Sequence, residues 1–85
     1  MEAIVSEIKQ FIAKKARVAP EELTNGTEIA GGRTIPSLAV LELVIHLEKL
    51  YQVEIGGDEI VEDNFKDVAA LAAFVQRKRK TAVVS

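Results

Sequence analysis

Thr34-Ile35-Pro36-Ser37-Leu38-Ala39-Val40-Leu41-Glu42-Leu43-Val44-Ile45-His46-Leu47-Glu48 is the stretch on which the reading of this 85-residue chain turns. Its periodicity is helical, yet its apolar residues occupy more than one face. At about 100° per residue, Val40, Leu43, Val44, Leu47 and Tyr51 fall on one side, with Leu50 at the edge. Leu38, Leu41 and Ile45 fall on the opposite side, among Glu42, Glu48 and Lys49. A small domain buries one face of a helix against its core. The second group of aliphatics, rimmed by charge, therefore reads as a docking strip for a partner. The alternatives are a central helix buried all round, and a homodimer through the same strip. Proline is tolerated in a first helical turn, where its missing N–H has no intrahelical partner. The helix is thus expected over 36–51, with Thr34 or Ile35 as its cap. Ser37 then presents one hydroxyl at the helix start, where outward backbone N–H groups favour an attached or bound phosphate. A serine there is by itself an ordinary cap or solvated first-turn residue. Its combination with a preceding loop, an outward apolar strip and acidic surroundings makes it a candidate site.

The segments on either side predict a small all-α bundle with uneven connections. Ile4, Ile8, Phe11 and Ile12 recur at helical spacing over Glu2–Ala16. Pro20 ends that pattern, and residues 17–36 read as one long loop with turn signals at Asn25-Gly26 and Gly31-Gly32. A loop of this length in so small a domain suggests a spanning or functional segment, with Leu23, Ile29 and Ile35 as its anchors in the core. Gly56-Gly57 breaks the chain after the second helix, and a short helical turn is expected over 58–62. Asn64 is the expected N-cap of the last helix, with Asp67 three residues on. Val68, Leu71, Ala72 and Val75 form that helix's core stripe. Residues 1–80 make one domain, and 81–85 read as a loose tail.

Composition narrows the function. There are no cysteines, which excludes disulfides and thiolate metal sites. His46 is the only histidine, so no metal cluster is expected. It lies nine residues from Ser37 on one helix, about 13 Å by rise per residue, too far for direct proton transfer. Enzyme activity is set aside on that geometry, and His46 reads as a helix-surface residue. Between residues 37 and 65, seven acids face one base, Lys49, while Arg77-Lys78-Arg79-Lys80 carries four positive charges. The acidic middle argues against nucleic acid and for basic protein partners. The terminal basic run reads as a solvated helix end whose cations complement the dipole. No apolar run is long enough to span a membrane, and Met1-Glu2-Ala3 lacks the features of a signal peptide. A cytoplasmic monomer is the expectation.

From Leu23 to Val75 the chain resembles acyl carrier proteins. Leu23-Thr24-Asn25 resembles the start of the family's long first loop. Ser37-Leu38, Leu41-Glu42-Leu43-Val44 and Leu47-Glu48 resemble its second helix. Tyr51-Gln52-Val53-Glu54-Ile55 resembles the segment that follows, and Asn64-Phe65-Lys66-Asp67-Val68-Ala69-Ala70-Leu71 the start of its fourth helix. The resemblance implies a four-helix bundle with a short third helix. It implies that Ser37 receives 4′-phosphopantetheine from coenzyme A through a phosphopantetheinyl transferase. The thiol of that arm would carry acyl groups as thioesters, and the carrier itself would not be an enzyme. Acyl-transferring or synthase partners would dock on Leu38, Leu41, Glu42, Ile45 and Glu48.

The chain also departs from the family pattern. Pro36 stands where the family has Asp before the serine. Gly31-Gly32-Arg33 replaces an acidic approach, Ala39 and Val40 replace a more polar helix start, and Lys49 interrupts the acidic run. These departures imply a specialised carrier in a lipid, polyketide or secondary-metabolite pathway. An aminoacyl or peptidyl carrier, and a carrier-like interaction module that is never modified, remain the alternatives.

Overall fold

The structure is a computed structural model describing the backbone of residues 2–84 and the side chains of residues 2–80. Four α-helices follow one another: α1 (Glu2–Ala16), α2 (Ser37–Tyr51), α3 (Glu62–Phe65) and α4 (Val68–Val84). Single 3-10 turns occupy Pro20–Glu22 and Gly57–Glu59. This is the expected all-α bundle with a long first connection and a short third helix, although the helical turn expected over 58–62 is divided between the 3-10 turn at Gly57–Glu59 and α3 at Glu62–Phe65.

The core follows the helical spacing. Ile4, Ile8 and Ile12 of α1, Leu43 and Leu47 of α2, and Val68, Leu71, Ala72 and Val75 of α4 are buried in one hydrophobic cluster. Val40, expected inside, is only half-buried, whereas Ala39 is buried. Phe74, outside the expected stripe, is buried with its ring 6.2 Å from Phe65. Both long N-terminal helices end on a non-glycine residue in the left-handed region, Arg17 (φ 61) and Gln52 (φ 54). The next N–H then reaches back to close the helix: Val18 to the Ala13 carbonyl at 3.0 Å, and Val53 to the Glu48 carbonyl at 3.2 Å.

The long loop is tied down along its length. Ile29 and Ile35 are fully buried, and Leu23 packs partly against the core. Ile29 and Ala30 donate to the carbonyls of Lys66 and Phe65 at 3.1 and 2.8 Å. In return, Val68 and Ala69 donate to the carbonyls of Thr27 and Asn25 at 3.1 and 2.9 Å. These bonds surround an isolated antiparallel bridge between Glu28 and Asp67. The loop thus satisfies first-turn donors of α4 that have no intrahelical acceptor.

Three sequence expectations about helix ends need correction. Pro36 is not inside the first turn of α2. It is the cap residue, with extended backbone (φ −72, ψ 164), and its carbonyl accepts from Val40 at 3.1 Å. Ile35, one of the expected caps, instead fills the core. Asn64 does not cap α4. It lies within α3, and its side-chain amide donates to the Glu59 carbonyl at 2.9 Å. Asp67 is the cap, its Oδ1 accepting from Ala70 at 2.8 Å. The chain breaks into α3 and α4 where the Phe65 and Lys66 carbonyls turn to the loop.

The basic run is also placed differently from its expected helix end. α4 continues to Val84, so the run lies inside the helix. Lys78 Nζ sits 3.0 and 3.1 Å from the two carboxylate oxygens of Glu59. The Arg79 guanidinium lies 4.8 Å above the Tyr51 ring. These contacts fasten α4 to the 3-10 turn and to the end of α2. Where a loose tail is expected over 81–85, the backbone is helical as far as Val84; the side chains of 81–85 and the last residue lie outside the described residues. Among the described residues, no helix is long and apolar enough to cross a membrane.

Candidate functional site

Ser37 is the first residue of α2 and is exposed. Its position follows from the chain around it. Ile29 and Ile35 plunge into the core, so the residues between them must bulge outward and return. Gly31 and Gly32 make that turn with φ of +100° and +75°, a region where a Cβ is strained. Ile35 brings the chain back to the core, extended Pro36 turns it outward, and Ser37 emerges at the surface. No side chain caps this helix and no acid lies in its first turn. The hydroxyl therefore stands beside first-turn N–H groups that have no intrahelical acceptor. That arrangement favours a phosphate ester on the oxygen.

The strip read from periodicity is exposed. Leu38 is 70% exposed, Leu41 49% and Ile45 51%. Exposed Val61, immediately before α3, extends it beyond α2. Between them runs an open groove of about 440 Å³ whose lining includes Ser37, Leu41, Ile29, Val61, Glu62 and Phe65. The groove joins the hydroxyl to apolar surface.

The two acids expected to meet partners are already engaged within the chain. Glu42 Oε1 lies 2.9 Å from Lys15 Nζ of α1. Glu48 Oε2 accepts from the backbone N–H of Ile55 at 2.9 Å, closing the turn after α2. Glu48 thus has a structural task whatever else it touches.

His46 is not an idle surface residue. It is half-buried, with Nε2 3.1 Å from Glu7 Oε1 and its ring 5.2 Å from Phe11. It joins α2 to α1 on a face turned away from Ser37, so these two residues form no nucleophile–base pair. Tyr51, at the far end of α2, has its hydroxyl pKa raised, mainly by burial and further by the charge of Glu7, against the lowering effect of Arg79. Among the described residues, no group of His, Asp and Glu could hold a metal ion.

Sequence reading placed the serine at a helix start and Leu38, Leu41 and Ile45 on an outward face, as they lie here, but gave no sign of Lys15, Val61 or the groove. Helical spacing relates residues of one helix only. Lys15 meets Glu42 from another helix, and Val61 belongs to a loop, so neither carried a periodic signal.

No family model matches the sequence. Two acyl carrier proteins of Brachyspira hyodysenteriae, one from strain WA1, are each 25% identical to it over 79 residues. The match spans 92% of this chain and 99% of theirs.

Proposed function

We propose that this chain is an acyl carrier protein in which Ser37 bears 4′-phosphopantetheine derived from coenzyme A. The observation that carries the proposal is the exposed Ser37 hydroxyl at the uncapped N-terminus of α2, beside an outward apolar strip and groove. The near full-length similarity to two acyl carrier proteins supports it.

The residues present fit the group. Loading needs an accessible hydroxyl, and Ser37 supplies one. Its oxygen would form the phosphodiester as the pyrophosphate bond of coenzyme A breaks, releasing adenosine 3′,5′-bisphosphate; the transferase removes the hydroxyl proton. The first-turn N–H groups of α2 stabilise the resulting negative charge. When bound, the arm supplies the thiol on which acyl groups travel as thioesters, so a chain without cysteine can serve. Leu38, Leu41 and Ile45, with Glu42 and Glu48 at the edges, form the face on which a phosphopantetheinyl transferase and acyl-transferring or synthase enzymes dock. The chain positions cargo and catalyses nothing itself. It works as a cytoplasmic monomer in a specialised lipid, polyketide or secondary-metabolite pathway, with Pro36, Arg33 and Lys49 as its distinguishing residues.

The test is intact-mass and peptide-level mass spectrometry after incubation with coenzyme A and a broad-specificity transferase. The expected result is one phosphopantetheine on Ser37, lost in Ser37→Ala. Ser37 makes no capping bond and alanine is the better helix former, so the stability of that variant should change by less than about 1 kcal/mol. Modification of Ser6 instead, or of no residue, refutes the carrier reading and leaves an unmodified interaction module.

A further inference from the structure

Around the α2 strip, the charges come in opposing sets. At about 100° per residue, Glu48 borders one edge of Leu41, Ile45 and Leu38, while Lys49 and Glu42 border the other. Glu42 is paired with Lys15 at 2.9 Å, and the same ammonium lies 5.6 Å from the centre of the Phe11 ring, which also attracts it. Glu48 turns one carboxylate oxygen to the Ile55 N–H. Exposed Arg33 lies on the approach to Ser37, and exposed Glu62 lines the opposite wall of the groove. The first turn of α2 holds no acid, and Pro36 before it is uncharged. The face therefore sets Lys15, Arg33 and Lys49 against Glu42, Glu48, Glu62 and Glu28, whose carboxylate lies beside Gly31 of the groove, for a net charge of only −1 around three exposed aliphatics.

We infer that Lys15 is a specificity residue of the docking face, and that the face selects partner proteins with an apolar, near-neutral docking surface over partners with a basic one. The inference rests on the carrier reading. A partner with a basic surface gains from a carboxylate that is free to meet it, and Glu42 is held by a cation of its own chain. It also meets Arg33 and Lys49 as like charges, which suppress wrong partners. A partner with a flat apolar surface meets Leu38, Leu41 and Ile45 without having to separate the Lys15–Glu42 pair.

The experiment measures loading of Ser37 by a transferase with a basic docking face, across 0.05 to about 0.5 M NaCl, a range that takes surface electrostatics from strong to screened. The proteins are the wild type, Lys15→Gln, Lys15→Arg and Lys15→Gln/Glu42→Gln. Freeing Glu42 in Lys15→Gln should raise the low-salt rate about two- to fivefold, the range set by an exposed ion pair, and the gain should vanish at high salt. Lys15→Arg keeps the pair and should behave as the wild type. The double variant should lose the gain. Thermal melts of all four confirm equal folding, so that a packing effect of Lys15 is separated from a recognition effect. Loading that proceeds with equal rates and salt slopes in the wild type and Lys15→Gln overturns this inference and leaves the carrier reading intact. Absence of loading on Ser37 in every variant overturns both.

Discussion

Leu47 and Ile45 lie two residues apart on α2 and should respond to substitution in opposite ways. Leu47 is fully buried in the central cluster, and Ile45 is 51% exposed. Leu47→Ala removes buried aliphatic carbon and leaves a cavity, which costs about 2–5 kcal/mol. At about 3 kcal/mol, and about 4–8 °C per kcal/mol for a domain of this size, Tm falls by roughly 12–24 °C. Ile45→Arg forfeits at most the covered half of an isoleucine, about 1 kcal/mol. Arginine recovers part of that, because it is the better helix former and its stem still covers apolar surface. The net change should stay within about 1 kcal/mol. Partner recognition should invert the order. A guanidinium in the middle of the strip should slow a partner enzyme's turnover of the loaded carrier about tenfold or more, the scale of losing one interface hot spot. Leu47→Ala, assayed well below its Tm, should keep turnover near the wild-type rate. Urea denaturation followed by circular dichroism gives the stabilities, and thioester turnover gives the function. A loss above about 2 kcal/mol in Ile45→Arg would mean that this face packs within the protein. Normal turnover by every partner would mean that the strip is not where partners bind.

Two further outcomes follow from the helix ends. Because Pro36 is itself the cap of α2, Pro36→Asp supplies a carboxylate acceptor for first-turn N–H groups. It should leave stability unchanged or raise it by about 1 kcal/mol, and should speed loading by a transferase adapted to Asp-Ser-Leu carriers, an advantage that shrinks in high salt. Equal loading rates at all salt concentrations would rule out Pro36 as a recognition determinant. Glu59 is held below its ordinary value of 4.5, first by the Gly56 N–H and then by Lys78. A lowered folded-state pKa contributes stability above the unfolded value that is lost as pH falls through the folded one. Wild type should therefore exceed Glu59→Gln in stability at neutral pH, and the two should converge as pH falls from the ordinary value of 4.5 through the lowered folded-state one and the carboxyl protonates. Urea titrations at both ends of that range check this, and a gap that persists in acid would contradict it.

The extent of legibility differed from residue to residue for physical reasons. The bounds of α1 were readable because Ile4, Ile8 and Ile12 repeat at the helical period and Arg17 to Pro20 interrupt it. The inward and outward faces of α2 were readable because 15 successive residues sample every direction around the axis. The α4 cap was misassigned because Asn64 and Asp67 are both acceptable caps locally. The choice was made by the loop, whose Ile29 and Ala30 N–H groups capture the Lys66 and Phe65 carbonyls.

Local chemistry thus determined the spans of α1 and α2, most of the core, the exposed strip and the place of Ser37 at a helix start, since these depend on spacing within a few residues. Tertiary structure alone decided which charges are free. Lys15 reached Glu42, His46 reached Glu7, Lys78 reached Glu59 and Arg79 reached the Tyr51 ring only once the helices lay side by side. In the linear chain, Glu42 belongs to an acidic run that invites basic partners. In the bundle it is paired with a cation from α1. Its availability depends on the relative placement of two helices, which no periodicity within either one encodes.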